Sequence, residues 1–148
     1  MGLFRRSSED ATAGMAAPEG ASSEADQVAA SHEHLSSMSV PARAAEVLQK
    51  IAPAVDQPDD YFGMRRLLVP WLPDADWMKW SPDQRATWFS LELMLQEAFQ
   101  ALELARMLIR RESEYQGATE ITYALGPDGR SALSRGDVAQ VVSRRLPD

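Results

Sequence analysis

Ser81-Pro82-Asp83-Gln84-Arg85-Ala86-Thr87-Trp88-Phe89-Ser90-Leu91-Glu92-Leu93-Met94-Leu95-Gln96-Glu97-Ala98-Phe99-Gln100-Ala101-Leu102-Glu103-Leu104-Ala105-Arg106-Met107-Leu108-Ile109 is a long, uninterrupted apolar pattern. It opens with a helix start. Ser81 can accept a hydrogen bond from an early helical amide, and Gln84 can reach back to the Ser81 amide, which makes a capping box. Pro82 stands at the first helical position, where its missing N–H costs nothing. Asp83 complements the positive end of the helix dipole. Trp88, Leu91, Leu95, Ala98, Leu102, Ala105 and Ile109 then recur at steps of three and four, the spacing of a coiled-coil seam. Met94, Phe99, Ala101, Leu104, Met107 and Leu108 widen that seam. Glu92, Gln96, Gln100, Glu103, Arg106 and Arg110 form the polar side. The pattern predicts one central helix over about residues 82–110, covered on more than one side by its own chain or by a second copy. The seam residues are the candidate interaction face.

Upstream, Val40, Ala44, Val47, Leu48, Ile51 and Val55 outline another apolar helical face. Pro41 fits its first turn, Pro53 tends to end or kink it, and Pro58 marks a break. Asp59 or Asp60 is placed to cap a short helix carrying Tyr61, Phe62, Met64, Leu67 and Leu68. Pro70 and Pro73 then stop regular structure, so Trp71 to Trp80 reads as a loop anchored by apolar side chains. Residues 1–38 hold only Leu3, Phe4, Val28 and Leu35 as large apolar side chains besides methionines. Ordering a backbone costs roughly 1–2 kcal/mol per residue, and so little apolar surface does not offset it. The expectation is a disordered acidic tail over 1–38, with a helix at Ser23 to Leu35 marginal in isolation. A single α-rich domain then spans 39–148.

Downstream, Gln116-Gly117 punctuates the chain, and Ile121, Tyr123 and Leu125 alternate with polar residues as in a strand. Gly126-Pro127-Asp128 opens a short helix, Gly136 interrupts it, and Asp137 is placed to cap a last helix with Val138, Val141, Val142 and Leu146. The fold class is therefore mainly α: a small helical bundle around the central helix, with a minor β-hairpin or single strand near 112–125.

Composition excludes much chemistry. The 148 residues include no cysteine, so disulfides, thiolate metal sites and thiol nucleophiles are ruled out. The net charge is −7, which opposes non-specific binding to a polyanion and does not favour a nucleic-acid partner. Residues 1–38 carry −4 of that charge, from two arginines and six acids. Glu92, Glu97 and Glu103 interrupt the most apolar stretch, so no membrane span is expected. Arg5 and Arg6 are followed by no apolar run, and Arg6 occupies the position where myristoylation needs Ser or Thr. These features lead to the expectation of a cytoplasmic protein.

The chemistry-bearing residues are few. The only histidines are His32 and His34, which would point to different faces of a helix. They read as part of a solvated polar stretch rather than a metal site. Glu92 and Glu103 sit three turns apart, about 16 Å along a helix, whereas a glycosidase pair needs about 5–9.5 Å. Neither is followed by the histidine of a di-iron bundle motif. Asp74 and Asp76 lack the glycine and closing glutamate of a calcium loop. Gly126-Pro127-Asp128-Gly129-Arg130 lacks Walker spacing, and Pro127 removes an amide that a phosphate would want. Trp71, Trp77, Trp80 and Trp88 lie within 18 residues and read as core more readily than as a binding platform. Met64, Met78, Met94 and Met107 read as core filler. No catalytic residue, cofactor or metal ligand is assigned, and the chain is expected not to be an enzyme.

Thr119 through Leu133 resembles the end of a winged helix-turn-helix domain of the MarR and PadR type. There the second wing strand ends in Tyr-x-Leu-Thr-x-x-Gly-Arg and opens a helix. Tyr123, Leu125, Gly129 and Arg130 match, and Gly126 replaces the threonine. Leu108-Ile109-Arg110-Arg111 followed by Gln116-Gly117 would supply the first wing strand and its turn. The resemblance covers residues 108–133 and implies DNA contacts through Arg110, Arg111 and Arg130. The chain departs from the pattern in having no Gly or Pro between Pro82 and Ile109 to break the helix before a recognition helix. Residues 106–148 hold seven arginines against six acids, net +1, a low balance for a DNA-binding surface.

Three function classes follow, the least favoured an enzyme with a carboxylate-bound divalent metal. The first is a non-enzymatic protein-interaction or regulatory module, its partner another protein or a second copy in a homodimer. The alternative is a degenerate winged-helix DNA-binding transcriptional regulator.

Overall fold

A computed structural model describes residues 16–56 and 64–147. The elements run α1 (Ala16–Ser36), α2 (Val40–Val55), α3 (Met64–Leu67), a 3-10 turn (Trp77–Lys79), α4 (Pro82–Leu104), β1 (Leu108–Tyr115), β2 (Ala118–Leu125), α5 (Pro127–Arg135) and α6 (Val138–Arg145). The fold is mainly α with one two-stranded antiparallel sheet among the described residues, as the sequence pattern predicts.

The central helix starts where the capping box places it. The Gln84 amide donates to Ser81 Oγ at 3.1 Å, and the Ser81 amide donates to Gln84 Oε1 at 2.9 Å. Its end differs from the expectation of about residue 110. The helix stops at Leu104 because Arg106 adopts a left-handed conformation, φ 65°. The Met107 amide then donates to the Leu102 carbonyl at 2.8 Å and the Arg106 amide to the Glu103 carbonyl at 3.0 Å. That pair of bonds is a Schellman closure, with arginine in the place glycine usually fills. Residues 108 onward are thereby released to form β1.

The expected tail over 1–38 also needs correction. Residues 1–15 lie outside the described residues, but Ala16–Ser36 is helical and packs along α4. Ala25, Val28 and Leu35 are buried in the common core. Arg43 of α2 seals the junction. Its Nε donates to the Leu35 carbonyl at 3.0 Å, one terminal nitrogen to the Met38 carbonyl at 3.1 Å, and the other to Glu97 of α4 at 2.9 Å. The buried guanidinium thus adds a second donor to the Leu35 carbonyl, which also accepts from the Met38 amide at 3.1 Å, and meets the Met38 carbonyl in the turn after α1. The helix expected around Tyr61 and Phe62, with its Asp59 or Asp60 cap, lies outside the described residues up to Met64.

Between α1 and α2 lies the buried face of α4, and α6 packs on α2 and α5. The hairpin pairs Leu108 with Leu125, Arg110 with Tyr123 and Glu112 with Ile121. Its two-residue turn is Gln116-Gly117, both at positive φ, the primed geometry that matches strand twist. The base is tied to the body by the Gly126 amide, which donates to the Met107 carbonyl at 2.9 Å. A Cβ at Gly129 would lie 2.4 Å from that same carbonyl oxygen. Glycine there lets α5 approach the backbone, a steric reason for the Gly-Pro-Asp-Gly sequence. Arg145 of α6 completes the seat, donating to the Ala105 carbonyl at 2.8 Å and to Asp128 at 2.7 Å.

Candidate functional site

The seam proposed as an interaction face is core. Leu91, Leu95, Ala98, Leu102 and Ala105 are fully buried, covered by the chain's own helices. Trp88 is half-buried in a ring cluster, 6.1 Å from Trp77 and 5.6 Å from Trp80 between centroids. Ile109 is not on the helix at all but stands exposed on β1. The correction has a plain cause: a 3.5-residue repeat identifies a face that wants cover, not what supplies it.

The opposite face of α4 is the unusual one. Phe89, Leu93 and Leu104 are 47%, 67% and 56% exposed. With Gln100 they follow spacings of four, seven and four, so they form one stripe along the helix. The stripe is flanked by an open groove of about 700 Å³ whose lining includes Met64, Leu93, Gln100, Leu104, Ile121 and Tyr123. A second cavity of about 400 Å³ is lined by Met64, Leu68, Leu72, Trp77, Trp88 and Glu92, among others. Met64 and Gln96 line both cavities, so the two adjoin along α4 and are together termed the trough.

Its electrostatics are acidic. Glu92, Glu97 and Glu103 line it from α4, against Arg110 from β1 and Arg65 of α3. Arg65 stands 3.8 Å from Asp74, both exposed at the rim. Glu97 is paired with Arg43. Glu103 accepts from the Tyr123 hydroxyl at 3.4 Å. Burial, followed by the nearby Glu103 charge, pushes the Tyr123 phenol above its ordinary 10.0, so it stays a neutral donor. Glu92 is half-buried and has no hydrogen-bond or ion-pair partner among the described residues.

The remaining candidates fall elsewhere. Arg110 and Arg111 are consecutive strand residues and point to opposite faces of the hairpin. Arg130 is paired with Asp56 at 2.6 Å. Rather than belonging to a solvated tail, His32 and His34 pin α1 to two neighbours. His32 Nε2 lies 2.9 Å from Ser90 Oγ, and His34 Nε2 lies 2.8 Å from Glu46. Asp76 lies 3.9 Å from Lys79. No group of three His, Asp or Glu that could hold a metal is found among the described residues. Trp71 and Trp80 are buried, as a core reading of the tryptophans expects, but Trp77 and Trp88 also wall the smaller cavity. Met78 is largely exposed rather than core filler. Sequence reasoning missed Phe89 and Leu93, although their spacing to Leu104 was a usable signal.

No protein-family model, no curated protein and no solved structure matches this chain. Among the described residues, no helix is long and apolar enough to cross a membrane.

Proposed function

We propose that the chain is a non-enzymatic protein-interaction module, and that a partner docks in the trough along the outward face of α4. The observation that carries this reading is the exposed stripe of Phe89, Leu93 and Leu104 beside a groove that Ile121 also lines. Leu93 and Leu104 stand at the two ends of the groove with Gln96, Glu97 and Gln100 between them, and large apolar side chains left exposed along one groove commonly mark a docking site. The alternative, a degenerate winged-helix DNA binder, is the less favoured proposal. Arg130 is already engaged by Asp56, and Arg110 shares its groove with Glu97 and Glu103.

The test is capture from the native host with the wild type and with a Leu93→Asp, Leu104→Asp double variant. Both positions are exposed, so the variant is expected to keep the wild-type helical circular dichroism. A partner retained by the wild type and lost from the folded variant supports the reading. Co-purification that is identical for both removes the trough from consideration.

A further inference from the structure

We propose that the occupant of the trough is a basic amphipathic helix of a partner protein, and that the Trp77–Trp88 cavity holds one of its Lys or Arg side chains against Glu92. This rests on the docking reading above and gives the partner a chemistry.

The argument for a helix comes from what the trough lacks. Arg110, Tyr123 and Ile121 lie on one face of the hairpin, as their cross-strand pairing requires. They therefore present side chains to the groove, not the unpaired backbone of a strand edge. The floor is α4, whose interior backbone groups are bonded within the helix. An extended segment laid here would bury amides and carbonyls with no backbone partner. A helix satisfies its own and offers only side chains. From Trp88 to Leu104 the floor spans sixteen helical steps, about 24 Å, which fits a segment of about four turns.

The apolar face of that segment would cover Met64, Leu93, Leu104 and Ile121, which line the groove. Its charge follows from the walls. Arg65 faces Asp74 and Glu97 is held by Arg43, which leaves Glu92 and Glu103 against Arg110. Glu92 is the decisive group. Half-buried and without a partner among the described residues, it lines the smaller cavity together with Trp77 and Trp88. A partly desolvated carboxylate gains most from an opposite charge, and indole faces attract the same cations. Trp88 lies one turn before Glu92 on α4, so ring and carboxylate share a side of the helix. A chain of net charge −7 also steers a basic segment inward and repels an acidic one.

The experiment titrates the full chain with three synthetic peptides of about four turns each. All carry leucine on one helical face; the other face is Lys, Gln or Glu. Tryptophan emission reports the cavity, and calorimetry gives Kd. The Lys peptide is expected to bind most tightly, more weakly as salt rises, and roughly tenfold more weakly to Glu92→Gln. Leu93→Asp with Leu104→Asp should abolish binding of every peptide. A scrambled Lys peptide that binds as well as the patterned one overturns the proposal, since charge alone would suffice. If the three peptides bind equally and Glu92→Gln changes nothing, the basic occupant is refuted while the docking trough survives. Absence of binding by any peptide refutes the helical occupant altogether.

Discussion

The two faces of α4 are built from the same residue types and meet opposite fates. On one side Leu91, Leu95, Ala98 and Leu102 are sealed from water by α1 and α2. On the other, Phe89, Leu93 and Leu104 stand in the open beside Gln96 and Gln100. The buried side gains its stability from close packing against small and branched side chains of the neighbouring helices. The exposed side gains less from the fold: Phe89 stands edge-on to Trp77 at 5.3 Å, while Leu93 and Leu104 remain more than half in water. The difference teaches that the repeat with the stronger signal served folding, while the weaker stripe, set among glutamates and glutamines, is the one the fold leaves in water.

The comparison breaks most sharply at Leu95. Replacing a fully buried leucine by alanine removes its packing and leaves a cavity between helices, so Leu95→Ala is expected to cost about 2–5 kcal/mol in chemical unfolding. A loss under about 0.5 kcal/mol, the range of surface substitutions, would mean that the seam is not the core.

The hairpin wall of the trough sharpens it next. Gly129 sits inside α5, where alanine would ordinarily be favoured by roughly 1 kcal/mol. Here a Cβ would meet the Met107 carbonyl oxygen at 2.4 Å and Leu125 Cδ1 at 3.0 Å. The first obstacle is backbone and does not swing aside. Gly129→Ala is therefore expected to destabilise by about 1–3 kcal/mol and to loosen the hairpin that carries Ile121 and Tyr123. Thermal melts that show the variant to be more stable than the wild type would mean α5 does not press on the hairpin base.

Much of this architecture was legible, and the failures have physical causes. The start of α4 could be read because a capping box is local, complete within Ser81 to Gln84. Its end could not, because no glycine marks it. Arg106 takes a left-handed conformation that costs a non-glycine residue about 1–2 kcal/mol, and the buried Ala105 carbonyl beyond the last helical turn is met by Arg145 from a helix forty residues away. The heptad pattern continues through Ala105 to Ile109 and so points the wrong way. Helix α1 was misread for a different reason. Its large apolar side chains are few, but Ala25, Val28 and Leu35 keep helical spacing, and small residues let α1 lie close on α4. Counting bulky residues misses area buried by close approach and the contribution of Arg43, whose three partners come from three segments. The trough was illegible because its walls come from α3, α4 and the hairpin, and its exposed leucines sit among residues that read as a polar side.

The smallest expected effect tests the exposed face most directly. Leu93 is 67% exposed, so little apolar surface leaves water when the chain folds, and glutamine is nearly as good a helix former. Leu93→Gln should therefore change unfolding stability by less than about 0.5 kcal/mol, in either direction. The measurement becomes informative when repeated at low and high protein concentration. If the cost stays small throughout, copies of the chain do not cover Leu93 for one another. If it grows with concentration, copies of the chain are covering Leu93 for one another, because association stabilises by mass action only the species that associates. The concave trough argues for the first outcome: a helix at the bottom of a groove, walled by the hairpin and Met64, fits an inserted helix better than an identical groove facing it.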